Sequence, residues 1–290
     1  VDIEPNTGLM SIKKLKEKLI IAKKNKSLPK IIIPVHLAGA SCNMKEISKL
    51  GKLYNFKIIE DASHAIGGKY NNKYIGNCEY SSICIFSFHP VKIITTGEGG
   101  LATTNELYLS ENMKNLSSHG IVKDQSKFLD KPNGSWSYEQ QALGFNFRIT
   151  EIQAALGISQ LKRLDNFVKK RNTLFKRYSD LLKDEPVSML DIPKDTYSAL
   201  HLAIIRLFDT RKESHKFIFE EMRNNNIGVQ LHYQPVHLQP FYKNLGFKKG
   251  DFPNAEAYSN NAISLPLYPD LKKSEQIRVV NLLIKLLKKI

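Results

Sequence analysis

The chain has 290 residues, of which 42% are hydrophobic and 24% are charged, a composition that can bury a core and argues against intrinsic disorder. Its longest apolar runs, such as residues 30–37, fall far short of the about 20 residues that cross a membrane, and residues 1–5 lack the pattern of a secretory signal. The formal charge of +15 favours small anionic substrates, but it does not indicate a nucleic-acid partner, because the lysines are dispersed and no aromatic residues alternate with them.

The first half of the chain alternates short apolar runs with helical patterns, which is typical of a parallel α/β sheet. The apolar run at residues 31–35 predicts a buried strand, followed by an amphipathic helix at residues 44–54. Further strands are predicted at residues 57–61, 82–86 and 100–103. From residue 150 to residue 182 apolar side chains recur at helical spacing, which predicts one long helical stretch.

A second α/β region follows this helical stretch. We predict a strand near residues 200–207, a helix near 211–224 and a C-terminal helix at 274–289. Pro186 and Pro193 lie at the join between the two regions. We therefore expect an α/β protein with a large domain at residues 1–160 and a small C-terminal domain at 161–290.

The cysteines and histidines predict no disulfide framework and no metal site. Cys42, Cys78 and Cys84 are too few for such a framework and have no CxxC spacing, so we expect reduced thiols in a cytoplasmic protein. The eight histidines show neither HxxxH nor HExxH spacing.

Three polar clusters border the predicted strands of the first half. They are EDASHA at residues 60–65, SFHPVK at 87–92 and TTGEGG at 95–100. The first two directly follow strands, and open α/β sheets bind ligands at the carboxyl ends of their strands. We therefore expect one crevice that contains a carboxylate, a hydroxyl, a lysine and a glycine-rich turn.

These groups suit pyridoxal phosphate (PLP). A lysine amine forms a Schiff base with an aldehyde, an aspartate pairs with a pyridinium nitrogen, and a serine hydroxyl with backbone N–H groups binds a phosphate. Taken singly, Asp61 is more often a cap or turn residue, Ser87 is an ordinary loop hydroxyl, and Lys92 is one lysine among many. Their order at successive strand ends favours a PLP site.

The same clusters, with three later segments, resemble the DegT/DnrJ/EryC1/StrS sugar aminotransferases. The later segments are SHG at 118–120, GFNFRITEIQAALG at 144–157 and HYQPVH at 232–237. The likeness runs in order along essentially the whole chain, and within the family it is similar to the pseudaminic-acid branch. It implies fold type I of the PLP-dependent transferases, as in aspartate aminotransferase, and a homodimer with shared active sites.

The resemblance also implies a role for each matching residue. Lys92 would be the Schiff-base lysine and the proton carrier, and Asp61 would contact the pyridine nitrogen. His64, where many relatives have Gln, would lie near the cofactor ring and its 3-hydroxyl. Ser87 would bind the phosphate, and Asn146 would reach the phosphate of the neighbouring subunit's cofactor.

Three further residues are assigned less sharply. Arg148 would lie near Asn146, whose alternative role is that of a helix cap before Thr150. His232 and Tyr233 either approach the sugar nucleotide or have a structural role at a strand end.

The resemblance implies transamination at C4 of a UDP-linked 4-keto-6-deoxy sugar, with L-glutamate as the amino donor. A PLP-dependent sugar dehydratase is an alternative on the same fold, but such relatives have His where Lys92 stands. A non-catalytic or regulatory protein on this scaffold is a second alternative, and Asp61, Ser87 and Lys92 together argue against it.

Two departures from the family pattern accompany this likeness. The opening part of the large domain, which in relatives supplies a phosphate-binding turn and an aromatic residue that stacks on the cofactor, has no counterpart here. Because the sequence begins with Val1 rather than Met, we expect an N-terminally incomplete chain. Ser117 stands where relatives often have Arg before SHG.

Overall fold

The computed structural model describes residues 1–290 and shows a mixed α/β protein. The nine α-helices are α1 (Ile12–Lys24), α2 (Met44–Tyr54), α3 (Leu107–Ser117), α4 (Glu151–Leu161), α5 (Leu164–Leu182), α6 (Lys212–Asn224), α7 (Pro240–Asn244), α8 (Pro253–Ser259) and α9 (Lys273–Leu287). The twelve strands are β1 (Ile31–Ile32), β2 (Lys57–Asp61), β3 (Lys69–Tyr70), β4 (Lys73–Tyr74), β5 (Ile83–Ser87), β6 (Gly100–Thr103), β7 (Ile121–Val122), β8 (Glu139–Gln140), β9 (Val187–Met189), β10 (Thr196–Tyr197), β11 (Ala203–Leu207) and β12 (Ala262–Leu265).

The N-terminal half is built on a four-stranded sheet in the order β1-β2-β5-β6. Strands β1, β2 and β5 are parallel, as predicted, but β6 runs antiparallel to β5. A parallel neighbour needs a crossover, usually a helix, and the connection at residues 88–99 contains none. The prediction of a wholly parallel sheet is therefore wrong at its last strand.

Helix α2 shows how local sequence fixes this half of the fold. The Asn43 side chain accepts a hydrogen bond from the Glu46 N–H at the first turn, and Asn55 ends the helix in the left-handed conformation with φ 56°. Between them the apolar face of the helix is buried against β1 and β2 in one hydrophobic cluster. Each fully buried side chain of this kind contributes about 1.5–3 kcal/mol.

The C-terminal half has its own antiparallel sheet, in the order β12-β11-β9, with α5, α6 and α9 packed against it. The predicted long helix at 150–182 is two helices in the structure. The Arg163 N–H bonds to the Gln160 carbonyl three residues back, a tighter turn that interrupts the helix before α5 begins.

The two halves meet under the loop that carries Lys92. Buried Ile93 and Ile94 pack with Leu164, Val168 and Ala199 in one cluster, so the start of α5 contacts the N-terminal half. The domain division at residue 160 stays a prediction.

The segment from α3 to α4 contrasts with both cores. Neither α3 nor α4 buries a side chain, and large apolar residues of this segment are exposed, among them Trp136 (78%), Leu143 (92%) and Phe147 (73%). No helix of the structure combines the length and the apolar character that a membrane span requires.

Candidate active site

The candidate site lies where the parallel strands β2 and β5 end. Asp61 is the last residue of β2 and pairs in register with Ile85, two residues before Ser87 ends β5. The Asp61 carboxylate is half-buried and accepts a hydrogen bond from the Ser63 N–H at 3.0 Å. The predicted proximity of these two strand ends is therefore present in the structure.

Glu60, the neighbouring carboxylate, has a different environment because successive side chains of a strand point to opposite faces. Its carboxylate lies 2.8 Å from Nε2 of the fully buried His36 and also accepts a hydrogen bond from the Ser81 hydroxyl. The Nδ1 atom of His36 accepts from the Cys42 N–H at 3.2 Å, so the imidazole proton lies on Nε2 and is donated to Glu60. Glu60 joins β2 to the turn after β1, and it is not part of the candidate site.

Lys92 lies on a loop whose backbone is fixed by its own threonines. The Thr95 hydroxyl donates to the Phe88 carbonyl at 2.8 Å, and the Thr96 N–H donates to the same carbonyl at 3.0 Å. Gly97 continues the turn with φ +81°, a conformation that favours glycine. Lys92 itself is half-buried, and burial lowers the pKa of its ammonium, while the negative charge of Asp61 acts in the opposite direction.

His64 lies close to Asp61 and Lys92, whose charges act on it, and it is only 6% exposed. Its Nε2 is 3.2 Å from the Tyr233 hydroxyl, and its Nδ1 is buried without a partner in the chain. Burial lowers the pKa of His64 to about 3, and the positive charges of Lys92 and His232 act in the same direction. His64 is therefore a neutral imidazole at neutral pH.

Two residues that the sequence analysis did not single out complete this cluster. The His201 ring lies 4.5 Å from the His64 ring, is 7% exposed, and also has an unpartnered Nδ1. The buried Arg171 guanidinium donates to the carbonyls of Leu200, His201 and Leu267 at 3.3, 3.2 and 2.9 Å. The only sequence signal for His201 is a polar residue at the start of an otherwise apolar run.

The two residues from the HYQPVH segment have distinct partners. Tyr233 reaches His64 through its hydroxyl, whereas Nδ1 of His232 lies 2.8 Å from the Ser264 hydroxyl. Burial and the charge of Lys92 lower the pKa of His232. The structure thus brings Asp61, His64, Tyr233 and Lys92 into one neighbourhood.

Ser87 and Asn146 are less enclosed. The Ser87 hydroxyl is half-buried and accepts one long hydrogen bond of 3.4 Å, from the His89 N–H. Asn146 is exposed, and its side-chain oxygen accepts from Arg148 at 2.9 Å rather than from any residue near Lys92. Asn146 is not a helix cap, because Thr150 caps α4 with a reciprocal capping box to Gln153.

A groove of about 950 Å³ adjoins the cluster through His232 and Tyr233. One of its walls is α6, which contributes Lys212, Lys216 and Phe219, and the other is the chain from residue 230 to residue 239.

No three His, Cys, Asp or Glu side chains are placed to share a metal ion.

A sequence model of the DegT/DnrJ/EryC1/StrS aminotransferase family matches residues 1–284. The chain belongs to this family. It is 35% identical over 291 residues to the UDP-4-amino-4,6-dideoxy-N-acetyl-beta-L-altrosamine transaminase of Campylobacter jejuni, an alignment that covers 100% of this chain and 73% of that protein. The recognition made from the motifs is therefore confirmed.

Solved structures of other sugar aminotransferases have the same fold as this family member. PseC of Helicobacter pylori, an aminotransferase involved in the biosynthesis of pseudoaminic acid, is 32% identical with a TM-score of 0.89 over 100% of this chain and 73% of that chain. Spr1654 of Streptococcus pneumoniae in its PLP form is 28% identical with a TM-score of 0.86 over 100% of this chain and 74% of that chain. The predicted fold class, fold type I of the PLP-dependent transferases, is confirmed.

Proposed function

We propose that this chain is a PLP-dependent aminotransferase that acts at C4 of a UDP-linked 4-keto-6-deoxy sugar, with L-glutamate as the amino donor. The observation that carries the proposal is the half-buried Lys92, on the loop that follows β5, with a pKa that burial lowers and on which the charge of Asp61 at the end of β2 acts. The Campylobacter relative, named as a transaminase of a UDP-sugar, supports the substrate class.

The residues present fit PLP. Asp61 is a carboxylate with only one hydrogen bond from the chain, so it has acceptor capacity for a pyridinium N–H. Ser87 has a hydroxyl free to donate to a phosphate oxygen, and His64 has a buried nitrogen without a partner. Lys92 supplies the amine. A buried polar atom normally has a partner, so the unpartnered His64 nitrogen supports a ligand at this place.

PLP, when bound, supplies an aldehyde that captures the donor's amine and a ring that withdraws electrons from its α-carbon. Lys92 acts as the base, because only a neutral amine can take up a proton and burial lowers its pKa. Asp61 would accept the hydrogen bond of the ring N–H and so hold the ring in place. In the net reaction, the amino group of glutamate passes to C4 of the sugar. The keto oxygen of the resulting 2-oxoglutarate comes from one water molecule, and the keto oxygen of the sugar leaves as another.

The groove beside Tyr233 supports a substrate with a phosphate-bearing extension. Lys212 and Lys216 stand one turn apart on α6, and Phe219 lies one turn further at the same wall. Ammonium groups bind phosphate as point charges, and an aromatic ring can stack on a base. The groove has the volume of a ligand pocket, and it adjoins the site through Tyr233, which contacts His64.

We also propose that two copies share their active sites, with Asn146 serving the neighbouring copy. Asn146 is exposed and lies between Phe145 and Phe147, which are 57% and 73% exposed and stack on each other at 4.7 Å. Exposed aromatic patches of this kind are typical of protein interfaces.

The free cysteines Cys42, Cys78 and Cys84 support a reducing, cytoplasmic location.

The test is an absorbance titration of the purified protein with PLP, before and after addition of L-glutamate. We expect a PLP band that requires Lys92 and that glutamate converts to the pyridoxamine form. Lys92→Ala should abolish the band, whereas Lys57→Ala, at the opposite end of β2, should not. Binding of PLP that is equally strong and spectrally identical in Lys92→Ala would refute the assignment of Lys92.

The acceptor half of the reaction separates the proposal from the dehydratase alternative. A transaminase returns the pyridoxamine form to the PLP form when the keto sugar is added, and the product contains a new amine. A dehydratase releases water without transferring nitrogen. Mass spectrometry of the product, with 15N-labelled glutamate as donor, distinguishes the two: absence of 15N in the sugar would refute transamination.

A further inference from the structure

The imidazole of His64 is held between two other aromatic rings. The His201 ring lies 4.5 Å away and is tilted by 42°, and the Tyr233 ring lies 6.2 Å away in a stacked arrangement. The Tyr233 hydroxyl is 3.2 Å from Nε2, while Nδ1 is buried and has no partner in the chain. One nitrogen of the ring is therefore engaged, and the other has no hydrogen-bond partner in the chain.

The protonation states of His64 and Tyr233 restrict which of the two side chains donates the hydrogen bond between them. Burial, Lys92 and His232 lower the pKa of His64 to about 3, against the opposite influence of Asp61. Burial and the charge of Asp61 raise the pKa of Tyr233. At neutral pH a neutral imidazole therefore meets a protonated phenol. A neutral imidazole has one nitrogen that donates and one that accepts.

The direction of the hydrogen bond follows from the strengths of donor and acceptor. A phenol, with an ordinary pKa of about 10, is a stronger proton donor than a neutral imidazole N–H, and an imidazole nitrogen, with an ordinary pKa of about 6.5, is a stronger acceptor than a phenol oxygen. The favoured arrangement has the Tyr233 O–H donating to Nε2. The imidazole proton then lies on Nδ1.

We propose that Tyr233 is a positioning residue that places the proton of His64 on Nδ1 and so makes that nitrogen a fixed hydrogen-bond donor to an oxygen atom of the ligand beside Lys92. The identity of the oxygen rests on the proposed function: in PLP it is the hydroxyl oxygen of the ring. Tyr233 also lines the groove, so the contact links that groove to the cofactor site. His201 packs against the ring of His64 and limits its rotation.

The tautomer is measured by 15N NMR of the cofactor-free protein labelled at histidine. His64→Gln identifies the two His64 signals by their loss. In the wild type we expect a protonated Nδ1 and an unprotonated Nε2. In Tyr233→Phe we expect most of the population to carry the proton on Nε2, because the donor to that nitrogen is gone. Tyr74→Phe is the matched control, since Tyr74 and Tyr233 are both 50% exposed and only Tyr233 contacts His64.

A wild-type spectrum with the proton on Nε2 would overturn the proposal, and so would an unchanged Nδ1–H in Tyr233→Phe. The signals of buried His36 and His237 report whether the variant is folded. If the variant does not fold, the wild-type spectrum still decides the tautomer.

A second measurement links the tautomer to binding. Loss of one neutral hydrogen bond corresponds to roughly a 5-fold change in affinity, so PLP should bind Tyr233→Phe about 5-fold more weakly than Tyr74→Phe. Equal affinities would refute the link between Tyr233 and the ligand. If PLP fails to bind even the wild type, the proposed function fails, whereas the nitrogen spectra still test the role of Tyr233.

Discussion

Glu60→Ala and Asp61→Ala truncate two adjacent carboxylates, and we expect the first to affect mainly the stability of the fold and the second mainly the binding of the cofactor. Both residues end strand β2, but their side chains lie on opposite faces of it. Glu60 is buried and bonds to His36 and Ser81, whereas Asp61 is half-buried and accepts one hydrogen bond from the chain. We expect Glu60→Ala to destabilise the fold and Asp61→Ala to weaken PLP binding.

The magnitudes follow from the partners that each truncation leaves behind. Glu60→Ala strands the N–H of a fully buried imidazole and the hydroxyl of Ser81, each at about 1–3 kcal/mol, so the free energy of unfolding should fall by roughly 3–5 kcal/mol. Asp61→Ala removes one bond from a backbone N–H that water can reach, which costs about 1 kcal/mol or less.

The assay is thermal and urea unfolding of the cofactor-free protein, followed by far-UV circular dichroism. Trp136 is 78% exposed, so its fluorescence would report poorly on the core. A loss of 3–5 kcal/mol corresponds to a fall in Tm of roughly 10 °C for Glu60→Ala, and Asp61→Ala should stay within about 3 °C of the wild type. Equal losses of stability in the two variants would refute the assignment of faces, and wild-type PLP affinity in Asp61→Ala would refute its role in the site.

Three further predictions concern other parts of the molecule. Burial lowers the pKa of His201 to about 2, so this side chain is neutral in the folded protein, whereas in the unfolded chain it binds a proton below about pH 6.5. Because the unfolded state binds more protons, the free energy of unfolding should fall by about 1.4 kcal/mol per pH unit as the pH drops from about 6.5 towards 2. His201→Phe should reduce the slope of this free energy against pH by one proton, and an unchanged slope would contradict the prediction. If two copies share each site, mixing Lys92→Ala subunits with Asn146→Ala subunits should restore about a quarter of wild-type activity, because half of the dimers are mixed and each mixed dimer has one intact site. No recovery of activity after subunit exchange would contradict the sharing of sites. Lys212→Ala combined with Lys216→Ala should raise KM for the nucleotide sugar about 10-fold and leave the glutamate half-reaction unchanged. The control is Lys23→Ala combined with Lys24→Ala on α1, which removes the same number of positive charges away from the groove. Equal effects of the two double variants on KM would refute a role of the groove.

The elements that local sequence signals define were predicted with their observed bounds. Helix α2 and strands β2 and β6 begin and end where the sequence predicts. For α2 the reason is that both ends are encoded nearby, by the Asn43 cap and by the left-handed Asn55. The positions of the three polar clusters beside strands were predictable for the same reason, because each cluster follows or precedes a strand within a few residues. The roles of their residues in the site stay predictions.

Features that depend on distant parts of the chain were not predictable in this way. The His64–Tyr233 hydrogen bond joins residues 169 positions apart, and no local periodicity encodes it. His201 and Arg171 join the cluster through packing and backbone carbonyls that only the tertiary structure brings together. The antiparallel direction of β6 likewise depends on the path of the loop at residues 88–99, which contains no helix.

The environment of Lys92 explains why a site at the end of the N-terminal sheet depends on the C-terminal half of the chain. Lysine has a long flexible side chain, so only a fixed backbone can restrict where its amine lies. That backbone is fixed because the next two residues, Ile93 and Ile94, are buried against Leu164 and Val168 of α5. On the other side of the site, His201 and Tyr233 hold His64 in place. Residues beyond position 160 thus contribute both to the packing under Lys92 and to the hydrogen bonding of His64, and the chemistry proposed for Asp61 and Lys92 requires both halves of the chain to be folded together.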